Sequence, residues 1–400
     1  MTHRERVLAT LNHEEPDRVA IDFGGMRSTG IHAIAYNQLK KHLRLSGGRT
    51  RVYDIMQQLA EPEKEVLDIL GGDVVQLHRY EPSFGVNIRG WKKGTLPDGS
   101  ECEYPLDLDP VIAEDGSKLI VQDGTVVARM PKDGFWYDFA YFPLADAESY
   151  KDIDKYEFPD ITGEELEFLR EEAEQLKATM GEYAVLGAFG GNIFENGMFT
   201  FGIEKFLTEI AINPKLVEYF LDRMADKHVE NLKKYMDAVG DYIDIIQMGD
   251  DLGTQNGLYI SREMYRKLIK PYQARVYEAA HKLNPRVKVF LHSCGSIYDL
   301  IPDLIEIGVD VLNPVQTTAA KMDPATLKRE FGRDIVFWGG GVDTQTVMLF
   351  GTPDEVRKQV KERLSIFAPG GGYVFNQVHN IQPGVPPENI VAAYMAAQGR

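Results

Sequence analysis

Val287-Lys-Val-Phe-Leu-His-Ser-Cys-Gly295 is the stretch from which the rest of the chain is read. Its first half is an apolar, β-branched run without a turn residue, the pattern of a strand buried in a parallel sheet. The run ends in His292 and Cys294, then Gly295. Side chains two apart on a strand share a face, so the imidazole and the thiol reach one cavity if the strand holds that far. Soft N and S donors placed side by side suit Zn²⁺. A buried neutral histidine beside an inert core cysteine is the other reading.

Outward from this strand the chain alternates. Upstream, Val19–Gly25, Asp73–His78, Tyr183–Phe189 and Tyr242–Gly249 read as strands; downstream, Val309–Val315, Asp334–Gly340 and Gly371–Gln377 do so. Between them lie helical patterns at 31–43, 52–70, 164–180, 216–239, 262–283, 297–307, 324–331, 353–367 and 388–398, after an opening helix at 2–11. Strands alternating with helices imply a parallel sheet, and eight such units imply an α/β chain closed into a (β/α)₈ TIM barrel. An open dinucleotide-binding sheet would carry G-x-G-x-x-G after the first strand, a spacing that Gly24-Gly-Met-Arg-Ser-Thr-Gly30 lacks.

One segment breaks the alternation. Across 81–145, Pro97-Asp-Gly-Ser, Glu114-Asp-Gly-Ser and Gln122-Asp-Gly-Thr separate short β runs, and Asp-Gly between such runs marks hairpins. This predicts an antiparallel β insertion after the second strand, rich in aromatics from Trp91 to Phe142, that serves as a lid or a dimer arm. The whole of 1–400 is read as one barrel domain around it.

The composition narrows function. Lys plus Arg number 44 against 61 Asp plus Glu, a net charge of −17, which argues against nucleic acid as a partner. Two cysteines form no disulfide framework, and no stretch is apolar enough for a membrane span or a signal peptide, so a cytoplasmic protein is expected.

In barrels of this kind the chemistry sits at the C-terminal ends of the strands. Those ends carry Asp22 and Arg27, His78, Glu195 and Asn196, Asp250-Asp251, His292 and Cys294, Asn313 and Gln316, Asp343, and Asn376 and His379. Asp22, Asp250 and Asp251 are the candidate catalytic acids. Arg27, His78, Glu195, Asn196, Asn313, Gln316 and Asn376 are candidates for substrate binding. Strands five and eight face a common mouth, so His379 joins His292 and Cys294 as candidate metal ligands, leaving one position open as catalytic zinc sites do. Alternation along 243–250 places Asp250 with Asp244, Ile246 and Met248, and this face is taken as the lumen. Asp250 is therefore expected to coordinate or orient the metal, and Asp251 to cap the following turn.

Several motifs together resemble the uroporphyrinogen decarboxylase-like superfamily. They are Met248-Gly-Asp-Asp-Leu-Gly-Thr-Gln255, Phe290-Leu-His-Ser-Cys-Gly-Ser296, Leu312-Asn-Pro-Val-Gln316 and Gly384-Val-Pro-Pro-Glu-Asn389, with the opening Arg4-Glu-Arg-Val-Leu and Pro16-Asp-Arg-Val. The resemblance implies a (β/α)₈ barrel and one of two chemistries: cofactor-independent decarboxylation of a tetrapyrrole, or zinc-dependent methyl transfer to or from a corrinoid (cobamide) carried by a partner protein. The decarboxylases carry an arginine-rich motif after the first strand where this chain has Arg27 alone. The methyltransferases resemble it in His-x-Cys but end on a later cysteine, where this chain has His379. The reading is a zinc methyltransferase acting on a small methylated ether or thiol, in a possible homodimer. A carboxy-lyase is the alternative, and a non-catalytic corrinoid-binding barrel the third.

Overall fold

A computed structural model describes residues 1–400 and bears out the barrel. Its eight parallel strands are β1 (Ala20–Ile21), β2 (Val74–Leu77), β3 (Ala184–Gly190), β4 (Ile245–Gly249), β5 (Lys288–His292), β6 (Val311–Asn313), β7 (Val336–Trp338) and β8 (Tyr373–Phe375). Each pairs with its successor from β2 to β8, and β8 pairs with β1. Alternation sorts the strand side chains into two layers. Val74, Ala184, Leu186, Ile245, Phe290, Val311, Val336, Trp338 and Val374 pack together inside the barrel, while the neighbours between them pack under the helices. The opening helix, His3–Leu11, places Val7 and Leu11 in that inner cluster and so plugs the bottom of the barrel.

The ladder has one seam, between β1 and β2, and Asp73 closes it. Its N–H donates to the Ile21 carbonyl at 2.7 Å, and its carboxylate accepts the Ile21 N–H at 2.8 Å. The same buried carboxylate accepts from Arg6 and Arg18 and contacts His3 Nδ1. One side chain thus stands in for a strand carbonyl and ties helix and seam together. Burial alone would raise its pKa; the His3, Arg18 and Ile21 donors outweigh this and hold it below the ordinary value.

Two segments differ from the sequence reading. Residues 52–70 are not one helix. Val52–Asp54 and Leu59–Ala60 form a three-stranded sheet with Ile31–His32, and only Lys64–Leu70 is helical. The apolar spacing fits a helix, but pairing with Ile31–His32 buries the same residues better, and Gln58 turns the chain at φ 54°. Two helices, Phe194–Phe201 and Ile203–Ile212, also lie between β3 and the long helix Pro214–Val239, where no element was predicted. The insertion is antiparallel as expected, with one pair (Trp91–Thr95, Glu101–Pro105) and a four-stranded sheet (Val111–Ile112, Lys118–Gln122, Thr125–Met130, Asp138–Phe139). Its small core of Val86, Leu108, Ile120, Ala128, Met130 and Tyr137 packs on Ile55. Phe139 stacks on Phe199 at 4.8 Å, which brings the insertion to the barrel mouth. No helix is long and apolar enough to cross a membrane.

Asp73→Asn should cost about 2–4 kcal/mol of unfolding free energy near neutral pH, because it leaves Arg18 without its counter-charge and Arg6 with Asp17 alone. The carboxylate's contribution is present above the unfolded value of about 4 and is lost as pH falls through the depressed folded pKa. Urea melts of wild type and variant should therefore differ most at pH 7 and converge in acid. A constant difference across that range would contradict this role.

Candidate active site and metal centre

The end of β5 carries out the geometry read from its sequence. His292 lies two residues beyond lumen-facing Phe290 and is registered between Gly249 of β4 and Asn313 of β6. The chain then leaves the strand, and Gly295 turns it at φ +87°. A Cβ there would lie 2.4 Å from the Gly253 backbone, so only glycine permits this turn, which sets Cys294 back toward His292. Cys294 Sγ is 3.4 Å from His292 Nε2, and a donor atom of His379 completes a trio within 4.8 Å of one another.

Asn313 fixes the imidazole. Its Nδ2 donates to the Trp338 carbonyl at 2.9 Å, which orients the amide so that Oδ1 faces His292 Nδ1 at 2.7 Å. The acceptor at that end requires Nδ1 to carry the proton, leaving the Nε2 lone pair toward Cys294. Ser28 Oγ donates to the same Oδ1 at 2.8 Å. Asn313, expected to bind substrate, is placed instead as the group that orients His292.

The two adjacent acids exchange their expected roles. Ile245 faces the lumen, so Gln247 does too, and Asp250 continues the outer face with Ile246 and Met248. Asp250 is fully buried among helices, where it accepts from the N–H groups of Ile193 (3.0 Å) and Glu195 (2.8 Å) and from Gln273 Nε2 (2.7 Å). It caps the helix Phe194–Phe201, and burial pushes its pKa up to about 6 despite those donors. Asp251 is the one at the trio. It accepts the Cys294 N–H at 2.7 Å and lies 3.7 Å from His292 Nε2. The misassignment came from taking the wrong face of β4 as the lumen.

A cavity of about 390 Å³ opens above the trio, lined by Arg27, His78, Glu195, Asp251, His292 and His379 among others. Other predicted residues lie elsewhere. Asp22 is buried beneath the mouth, accepting from Trp338 Nε1 and the Gly25 N–H, and burial raises its pKa to about 6. Asn376 is buried beside it. Asn196 contacts His228 in a neighbouring chamber, Gln316 accepts the Gly295 N–H at 2.8 Å, and Asp343 accepts the Gln345 N–H in the turn after β7. Asn192, which donates to Glu195 at 2.8 Å, is a cavity residue that the sequence reading passed over. It lies just beyond the predicted strand end at Phe189, a position that could have flagged it.

The site is acidic and short of free cations. Arg27 is paired with Asp54, and Arg79 with Glu165. Burial first, then Asp251 and Asp250, raises Glu195 well above its usual range. Burial, then Asp251 and Glu195, does the same to the Cys294 thiol. Burial lowers His379 to about 4, which keeps it neutral with a lone pair free. Two imidazoles and a thiol beside Asp251 and Glu195 form a donor set that a soft divalent cation satisfies in both charge and ligand type. A tetrahedral ion with N and S bonds of about 2.0 and 2.3 Å separates those donors by about 3.5 Å, and the observed 3.4 Å separation of His292 and Cys294 fits it.

Together these features make a (β/α)₈ barrel with an N/S donor cluster at its mouth. The family profile described as uroporphyrinogen decarboxylase (URO-D) matches residues 141–399. The chain belongs to that family. It is 27% identical over 246 residues to uroporphyrinogen decarboxylase of Psychromonas ingrahamii, covering 60% of this chain and 65% of that one. It is 25% identical over 256 residues to the protein of the same name from Chlorobaculum parvum, covering 61% and 68%. The chain thus spans about two thirds of the length of these relatives. Among solved structures, a methyltransferase from Methanosarcina mazei superposes with a TM-score of 0.61 at 16% identity, covering 100% of this chain and 99% of that one, which shows a shared fold.

The division between the two acids is measurable. Asp250→Asn should lose about 1–3 kcal/mol of stability, since it weakens a buried acceptor facing two N–H groups and an amide. Asp251→Asn keeps an acceptor for the Cys294 N–H and should melt like wild type. Removing its charge should move the alkylation of Cys294 in chelator-treated protein to lower pH, read by peptide mass spectrometry. The opposite pattern of melting and alkylation would reverse the assignment.

Proposed function

We propose that this chain is a zinc-dependent methyltransferase that moves a methyl group between a small methylated substrate and a corrinoid carried by a partner protein. The observation that carries this reading is the His292–Cys294–His379 trio at the barrel mouth. Those three residues would hold the ion, with Asp251 beside them as a further ligand or as the acceptor that holds the Cys294 loop. Zinc bound there supplies Lewis-acid chemistry, polarising the oxygen of a methyl ether or lowering the pKa of a thiol. Asn313 keeps His292 Nε2 available as a donor throughout, and the Gly295 turn fixes the thiol's position. The insertion, anchored by Phe139 on Phe199, walls the cavity and limits water around the reacting groups.

Decarboxylation of a tetrapyrrole is the second reading, favoured by the names of the relatives. The electrostatics of the mouth weigh against it. A substrate bearing several carboxylates needs unpaired cations, whereas Arg27 and Arg79 are engaged by Asp54 and Glu165, and Glu195 and Asp251 face the same space.

Protein purified without chelator under anaerobic conditions should contain about one zinc per chain by mass spectrometry, as three protein ligands with one open position require. Cys294→Ala and His379→Ala should lose the metal while keeping the wild-type melting profile of the chelated protein. Metal-free protein that still transfers methyl groups, or that releases CO₂ from a tetrapyrrole acid, would overturn the proposal.

A further inference from the structure

Most polar groups around the mouth are tied to one another, as with His292, Asn313, Ser28 and Trp338, and Asn192 with Glu195. Two on β2 are not. Gln76 Oε1 and His78 Nδ1 are buried and have no partner in the protein, and both residues line the cavity. Alternation from lumen-facing Val74 places Gln76 and His78 on the lumen side of β2. Gln247 stands on the lumen face of β4 and lines the same cavity. Register sets Gln247 opposite Ala188 of β3, with Gly187 of that strand opposite Leu77, so His78 and Gln247 are level across a single small residue. Tyr53, 3% exposed, packs its ring 4.2 Å from that of His78 and holds the imidazole in place. Phe139, Phe189 and Phe199 complete this half of the cavity.

From this arrangement we infer that Gln76, His78 and Gln247 form a recognition wall for the substrate. It takes an uncharged group that both donates and accepts hydrogen bonds, such as an amide or a hydroxyl, on a flat apolar body. The inference rests on the reading of the His292–Cys294–His379 trio as the reactive part of the cavity. Two carboxamides and a neutral imidazole each offer a donor and an acceptor, and burial lowers His78 to about 3, so it stays uncharged at neutral pH. A carboxylate placed against this wall could accept from the amide N–H groups but would find no free cation, since Arg27 and Arg79 are already paired, and would share the cavity with Glu195 and Asp251. The aromatic residues beside the wall match a planar apolar body. The substrate's recognised end is thus held by β2 and β4 at the level of Phe290, two residues below His292, while its reacting end faces the ligand trio at the mouth.

The test uses benzamide and benzoate, which share a ring and differ in charge, titrated calorimetrically into the full-length protein with and without bound zinc. Benzamide should bind at least about tenfold more tightly than benzoate, with the same preference after zinc is removed, because the wall is separate from the metal ligands. Gln76→Leu and Gln247→Leu should abolish the preference while the melting temperature stays at its wild-type value. Gln247→Glu, which keeps the shape and changes the charge, should favour benzamidine over benzamide and provides a second readout should the leucine variants unfold. Benzoate binding as tightly as benzamide, neither probe binding, or a preference that survives in the variants would overturn the inference. Zinc content measured on the same samples keeps this outcome separate from the fate of the metal-centre proposal.

Discussion

The carboxylate of Asp73 is the interaction on which the architecture turns. β1 has two residues in the ladder, too few to close a barrel against β2 through backbone pairing alone. Asp73 supplies both an N–H and an acceptor to Ile21, and its charge draws Arg6 and Arg18 to the barrel floor. Such a buried charge is stable because each lone pair is used and each cation is local. Closing the seam sets Arg27 and Ser28, in the loop after β1, against His78 at the end of β2. The same loop supplies the Ser28 hydroxyl to Asn313, so the position of the His292 ring depends on how the barrel closes.

Much of the fold was legible because period-two and period-3.6 patterns alternate regularly from residue 183 onward, and the Asp-Gly pairs of the insertion fall at its turns. The convergence of three donor side chains was legible for the same reason: His292 and Cys294 are two apart at a strand end, and His379 follows β8. Residues 52–60 were not, since the spacing of Val52, Ile55 and Leu59 satisfies a helix and only long-range pairing decides for strands. The roles of Asp250 and Asp251 failed at one binary choice, which face of β4 is inside. Each face of that strand mixes apolar and polar residues, Ile245 with Gln247 on one and Ile246 and Met248 with Asp250 on the other, so nothing local distinguishes them. Asn313 exposes a further limit. Its residue type suits substrate binding, and its role as the partner of His292 follows only from the register of β5 on β6.

The balance of charge at the mouth connects these details to function. Glu195, Asp251 and Cys294 are brought together in a partly buried space where, after burial, Asp251 raises the proton affinity of Glu195 and both acids raise that of Cys294. The family's shared barrel thus carries in this chain a cluster suited to a cation rather than an array of cations suited to a polyanion. Deeper in the same cavity, Gln76, His78 and Gln247 offer neutral hydrogen bonds. On the proposed reading, the recognised end of a substrate lies deeper in the lumen than its reacting end.

X-ray absorption at the zinc K-edge of the purified protein tests the central claim most directly. The expected spectrum is that of a four-coordinate first shell with one sulfur at about 2.3 Å and nitrogen or oxygen scatterers at about 2.0 Å, the sulfur lost in Cys294→Ser. A shell of nitrogen and oxygen alone in the wild type, or a sulfur shell unchanged in Cys294→Ser, would contradict it.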